Sequence, residues 1–254
     1  MRHSRAAGGL AAVFAGLAGL ALLAGCGGGG SHRPSTPAGL AGHPAKQILA
    51  EAVAAARAAR TLHFDSTTRQ GSATAVVSDD SGPTAGRQVL TISGGGHVTI
   101  LVVGAVAYVR ANEAGLAGYL GLPGATAARL AGRWIVMRPG DPGYQQVSAG
   151  VTVGSVLTEA IPVGPLTKTG LTTVDGQSVI GVHGRVAASA GVPAGATGTV
   201  YIAATGRPLL VSCREGKGST QISVMFSGWG QAVHVAAPRH TVPFPAGSGS
   251  HGAA

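Results

Sequence analysis

From Thr61 to Phe226 the chain is a succession of short β-type runs broken by Gly, Pro and Asp. Apolar and β-branched runs recurring every ~8 to 12 residues, with turn residues between them, specify antiparallel sheet. The runs are Leu62–Arg69, Ala73–Ser78, Arg87–Ser93, His97–Val103, Val106–Arg110, Arg133–Met137, Leu166–Val174, Ser178–Ala187, Thr199–Ala204, Leu209–Glu215 and Gln221–Phe226. Asp175-Gly176 is the strongest hairpin signal among them, because both residues tolerate the positive φ of a tight two-residue turn. Pro139-Gly140-Asp141-Pro142-Gly143 and Thr205-Gly206-Arg207-Pro208 mark two further turns.

Within these runs side chains alternate. Val200 and Ile202 point opposite Tyr201, and Ile222, Val224 and Phe226 point opposite Gln221 and Ser223. Each strand therefore has an apolar side that must be covered. Three segments can supply helices. Pro44 to Arg60 has apolar residues at 48, 49, 52, 53 and 56 among strong helix formers. Glu113 to Leu130 reads as two short helical pieces, with Leu116 and Leu120 on the first and a turn at Pro123-Gly124. Thr152–Ile161 places Val153, Val156 and Leu157 on one face and is stopped by Pro162. This is little cover for so many strands, and a long sheet with few helices curls around its own apolar face. The expected fold is α+β, a curved antiparallel sheet with a few helices over its apolar face. Leu90, Ile92, Leu116, Leu120, Trp134, Val136, Val153, Val156, Leu157, Val200, Ile202, Ile222, Val224 and Phe226 are the residues expected to line a cavity there.

Ahead of this unit stands Met1-Arg2-His3-Ser4-Arg5, then an uncharged apolar run from about Gly9 to Ala24. Basic start, short apolar core and small residues describe an export signal, and the run falls short of the ~20 residues a spanning helix needs. Leu23-Ala24-Gly25-Cys26 matches a bacterial lipobox. Residues 1–25 are thus expected to be removed and Cys26 to carry diacylglycerol, which anchors the protein to the outer face of the cell membrane more firmly than one acyl chain could. Residues 26–44, rich in Gly, Ser and Pro, read as a flexible tether. Residues 45–237 are enough for one domain with a substantial core. The Pro, Gly, Ser and His of residues 238–254 read as an unstructured tail.

The search for reactive chemistry gives little. With Cys26 committed to lipid, Cys213 has no disulfide partner in the chain and reads as a small buried side chain. Ser227 in Ser227-Gly228-Trp229-Gly230 lacks the glycine two positions earlier that a nucleophile elbow needs. Lys217 in Gly216-Lys217-Gly218-Ser219-Thr220 lacks the upstream glycine and following helix of a phosphate loop, so the segment reads as a turn. His63, His97, His183 and His234 form no metal-ligand spacing. Asp65, Asp79, Asp80, Glu113, Asp141, Glu159, Asp175 and Glu215 fall mostly beside turns or at element ends, where solvated placement is expected. Trp134 and Trp229 could stack on a sugar or lipid headgroup, but an aromatic in a strand is more often core. The chain reads as a non-enzyme without metal or cofactor. Its net charge of +9 falls by only two when Arg2 and Arg5 are removed. The basic residues are scattered, which gives no sequence-evident patch, and nucleic acid is not an expected partner outside the cell.

The lipobox, the opening amphipathic helix, Ala107-Tyr108-Val109-Arg110 before a helical insert, Gly132-Arg133-Trp134-Ile135-Val136 and the Val174-Asp175-Gly176 hairpin occur in an order that resembles one family. Gly198-Thr199-Val200-Tyr201-Ile202 followed by Gly206-Arg207-Pro208-Leu209-Leu210 extends the match, so that it covers roughly Lys46 to Ala236. The chain resembles the actinobacterial lipoproteins of the LppX/LprG type, which share a curved-sheet fold with the lipoprotein carrier LolA. An Arg-dominated basic set, with Lys only at 46, 168 and 217, and abundant Ala and Gly suit such a GC-rich source. The resemblance implies a half-barrel whose apolar cavity holds acyl chains, a lipid or lipoglycan ligand, and an envelope transport protein as partner. The residues themselves leave open a second reading: an envelope interaction or regulatory lipoprotein, not an enzyme, with a fully packed core.

Overall fold

The computed structural model describes residues 39–186 and 192–245. Residues 1–38, including Cys26 and most of the tether, lie outside the described residues, as does Ala187, the expected end of its strand. One 3-10 turn, Leu40–Gly42, leads into α1 (Ala45–Ala59). Five strands follow: β1 (Leu62–Gln70), β2 (Ala73–Ser81), β3 (Ala85–Ile92), β4 (Gly96–Val103) and β5 (Val106–Ala111). Next come α2 (Glu113–Tyr119), α3 (Gly124–Leu130), β6 (Ile135–Met137), α4 (Tyr144–Ser148) and α5 (Val153–Ala160). The chain continues through β7 (Val163–Val174), β8 (Gln177–Arg185), β9 (Thr197–Ala203), β10 (Leu210–Lys217) and β11 (Thr220–Ser227) to the short β12 (Val242–Pro243).

All twelve strands form one open, curled sheet in the order β12-β6-β5-β4-β3-β2-β1-β11-β10-β9-β8-β7. Every neighbouring pair is antiparallel except β12 with β6. The first strand therefore sits in the middle. The chain builds one flank from β2 to β6, crosses through α4 and α5 to the far edge, and returns through β8 to β11 to pair with β1. Asp175 (φ 49°) and Gly176 (φ 74°) make the expected hairpin turn between β7 and β8. The edge strand β7 is broken by two register shifts and carries Pro165 and Lys168, features that discourage edge-to-edge pairing with another chain.

The helices lie on one face and divide the core in two. α1 buries Ile48, Leu49, Ala52 and Ala56 and joins α5 over β8 to β11 and β1. α2, α3 and α4 cover β3 to β6. None of the described helices is long and apolar enough to cross a membrane. Thr152 and Ser155 close a capping box on α5, satisfying amides that the first turn would leave unpaired. α2 starts on Asn112, whose Oδ1 accepts from the Gly115 amide at 2.8 Å and the His97 amide at 3.0 Å, while its Nδ2 donates to the Gly95 carbonyl at 2.7 Å. One side chain thus ties helix to sheet. Asn112→Ala should cost about 1 to 2 kcal/mol in urea unfolding, and Asn112→Asp, which keeps both acceptor bonds, should recover at least half of that.

Several details depart from what the sequence predicts; β7, for one, begins at Val163 rather than Leu166. β2 continues to Ser81 rather than ending at Ser78. α4 was not expected, since its turn-rich lead-in masks a single turn of helix in which Tyr144 and Val147 are buried. The segment after Ala237 is not all unstructured: the Val242 amide donates to the Trp134 carbonyl at 2.8 Å and the Phe244 amide to the Val136 carbonyl at 3.2 Å. Val242 and Phe244 pack on the second core cluster, apolar contacts that its Pro- and Gly-rich composition conceals. Residues 246–254 lie outside the described residues.

Candidate functional site

The register identifies the side chains on the helix-covered, inner face. One row runs Phe226–Phe64–Asp79–Gln88–Ile100–Val109–Ile135 across six strand pairings. Two polar residues interrupt an otherwise apolar strip, and they lie where the two core clusters meet. Asp79 is 1% exposed. Its carboxylate accepts from the Ser81 hydroxyl and, at 3.4 Å, from Gln88 Nε2. Glu159, on the last turn of α5, reaches the same place: its Oε2 and Gln88 Nε2 both lie within 4 Å of where a Cβ on Gly150 would stand. From β10, Glu215 accepts from the Cys213 thiol at 3.1 Å.

This seam joins three largely buried carboxyl groups without a cation. Among the described residues the ion pairs involve only His43 and His63, and His63 acts on Asp79 only as the smallest of the charges and hydrogen bonds around it. Burial penalises the charged form and pushes Asp79 up to about 7, with the Ser81 hydrogen bond opposing. Glu159 is pushed up to about 8 by burial and then by the neighbouring charges of Glu215 and Asp79. Burial also raises Glu215, against the Cys213 hydrogen bond, and raises the Cys213 thiol, reinforced by Glu215. Tyr119 on α2 is raised by burial and by Glu159. Near neutrality Glu159 thus stays largely protonated and Asp79 partly so, and the seam offers hydroxyl-like donors inside an apolar interior. Among the described residues no three His, Cys, Asp or Glu side chains are grouped so as to hold one metal ion.

The expected lining residues divide between faces. Val153, Val156, Leu157, Val200, Ile202 and Phe226 are buried in the first cluster, with Val224 partly buried against it. Leu90 and Leu116 are buried in the second, with Ile92 and Leu120 partly buried beside them. Ile222 shares the inner register through its pairing with Thr68 and Glu215 but belongs to neither cluster. Trp134 and Val136 are corrections. In β6 it is Ile135 and Met137 that are fully buried among the helices, while Val136 pairs with Tyr108, itself paired with Leu101, on the outer face and Trp134 lines a hollow there. An unbroken apolar run carries no alternation from which to choose a face.

The acidic residues need a similar correction, since Asp79, Glu159 and Glu215 are not solvated. Asp79 was hidden by the Asp-Asp-Ser-Gly-Pro composition at 79–83, which reads as a turn although β2 continues through it. The available signal was its phase: Val77, Asp79 and Ser81 alternate with the inner face. On the outer face His63 is clamped by Asp80 (2.8 Å) and Asp65 (3.3 Å). Partial burial opposes its charge, but the two carboxylates prevail and raise its pKa. Cys213 is buried, and Lys217 sits at the tight β10–β11 hairpin. Trp229 packs on Phe226 with ring centroids 6.2 Å apart and donates to the Leu210 carbonyl. It is core.

No family model and no curated protein matches the chain. Among solved structures it is similar to the lipoprotein LppX of Mycobacterium tuberculosis, at 22% identity over 75% of this chain and 99% of that one, with a TM-score of 0.48. It is also similar to LprF of Mycobacterium bovis, at 17% identity over 76% of this chain and 96% of that one, with a TM-score of 0.47. A LolA superfamily protein of Nitrosomonas europaea aligns at 10% identity over 73% of this chain and 92% of that one, with a TM-score of 0.27. LppX is a member of the type that the sequence resembles.

Proposed function

We propose that this chain is an LppX/LprG-type cell-envelope lipoprotein, exported and held at the outer face of the membrane by acyl chains on Cys26. It binds lipid or lipoglycan acyl chains between its sheet and its helices and carries them to an envelope transport partner. The observation that supports this is the construction of the interior. A single twelve-stranded sheet turns one apolar face toward helices of which four have only 5 to 8 residues. Helices this short have little stability of their own, so they can shift outward while the continuous hydrogen-bonded sheet stays intact. The proton-holding seam between the two apolar clusters suits the ester and hydroxyl groups where acyl chains join a headgroup. Nothing in this role calls for a nucleophile or a metal.

Purified from its native host, the full chain should carry acyl lipid beyond its own anchor, detected by native mass spectrometry and solvent extraction. No extra lipid on repeated preparations would overturn the carrier role. A specific observation supports the second reading, an interaction protein with a packed core: Val200, Ile202, Ile100 and Ile135 have no exposure at all. On that reading the protein purifies lipid-free and fully stable.

A further inference from the structure

The outer face of the β3–β6 flank has a hollow of about 680 Å³ that the interior does not use. Its floor is Val89, Leu101 and the half-buried Trp134, and its cover is the chain at His234–Ala236. This volume is within the ~300 to 1,000 Å³ typical of small-ligand sites. Arg87 on β3 and Arg110 on β5 flank it from either side of β4, in register with Leu101 and Thr99 respectively. Neither arginine has a side-chain hydrogen bond or ion pair among the described residues. No carboxylate lines the hollow. Asp80, which pairs with Arg87 across the strands, is engaged by His63 at 2.8 Å. Two uncompensated guanidinium groups thus stand beside an apolar floor.

The cover is suspended. Trp229 and Gly230 fix its start through bonds to the Leu210 and Thr61 carbonyls, and β12 fixes its end on β6. Between Gln231 and Val242 no described residue of this segment makes a hydrogen bond to the sheet. A strap secured at its two ends can lift without breaking the ladder beneath it.

We propose that this hollow is a binding site for a long-chain fatty acid, whose carboxylate is held by Arg87 and Arg110 and whose chain lies on Val89, Leu101 and Trp134 under the strap. Guanidinium groups bind carboxylates by charge-assisted, often paired, hydrogen bonds, and the indole offers a broad apolar surface. This site is separate from the interior, and its fate does not depend on the carrier role.

The chain has two tryptophans, and Trp229 secures the strap, so the Trp134 response is read as the part of the emission change that Trp134→Phe removes. In the full chain with Cys26→Ser, which removes the anchor, palmitate should change Trp134 emission saturably. Methyl palmitate, which has no charge, should bind at least about tenfold more weakly, as should palmitate to the R87Q/R110Q variant. Both arginines are exposed, so that variant is expected to fold. Equal binding of acid and ester, or binding unchanged in R87Q/R110Q, would overturn the site. So would palmitate recovered by extraction without any Trp134 response, a result that leaves interior binding standing.

Discussion

Raising the pH from about 4 to about 8 should destabilise the folded protein by about 3 to 5 kcal/mol, the reverse of ordinary acid denaturation. The cause is the seam between the two core clusters. Asp79 and Glu159 have ordinary pKa values of 3.8 and 4.5 but titrate at about 7 and about 8 in the fold, chiefly because burial disfavours their charge. Their folded values lie above their unfolded ones. Below the unfolded values both groups are neutral in both states and the contribution to stability is fully present. As the pH rises the unfolded chain releases its protons first, and stability is lost until the folded pKa values are passed. A three-unit shift is worth about 4 kcal/mol for one group, and the two lie in one seam, so their effects do not simply add. His63, raised by its two carboxylates, contributes in the same direction near neutrality.

Glu159→Gln should remove about half of this slope and leave Asp79 titrating at about 7, because burial, the Ser81 hydrogen bond and the Asp80 charge set that value. Urea unfolding across the pH range reads it directly. A stability that is level or rises over that window, or an E159Q variant with an unchanged slope, would show that the seam is solvated. The same transition has a functional side. Deprotonation places like charges on α5 and on the sheet beneath it, and so favours opening of the helix that roofs the first cluster.

Much of this architecture is legible in the sequence, and for a definite reason. Where Val200 and Ile202 flank Tyr201, or Ile222 and Val224 flank Ser223, apolar and polar side chains alternate and the face is determined by the pleat. The amphipathic α1 and the hairpin at Asp175-Gly176 are equally local signals. What was hidden depends on partners distant in sequence. Trp134-Ile135-Val136-Met137 has no polar residue to mark a face, and only pairing with β5 and β12 assigns it. Asp79 reads as the start of a turn until β3 is laid beside it, with Gln88 as its neighbour. The strap has loop composition throughout, and its course over Arg87 and Arg110 follows from where β12 finds an edge.

Gly86 shows how such a distant contact can decide stability. It opens β3 on the inner face, and a Cβ there would stand 2.1 Å from the Val151 carbonyl oxygen and 3.0 Å from both the Asp80 oxygen and Val151 Cγ1. The Val151 backbone cannot easily retreat. Val151 is fully buried, and the Val153 amide just beyond it donates to the Gly82 carbonyl at 3.2 Å. Gly86→Ala should therefore cost about 2 to 3 kcal/mol, and Gly86→Val more, placing them among the severe overpacking substitutions. The segment that must give way leads directly into α5. Displacing it moves Glu159 away from Asp79 and toward water, which returns its pKa toward the ordinary carboxylate range. Gly86→Ala should thus lower stability at acid pH more than at alkaline pH and flatten the slope that E159Q reduces. Within urea unfolding these two effects are separable: a uniform loss at all pH values would mean that the glycine supports the fold without setting the burial of Glu159, and a loss below about 0.5 kcal/mol would refute the close approach itself.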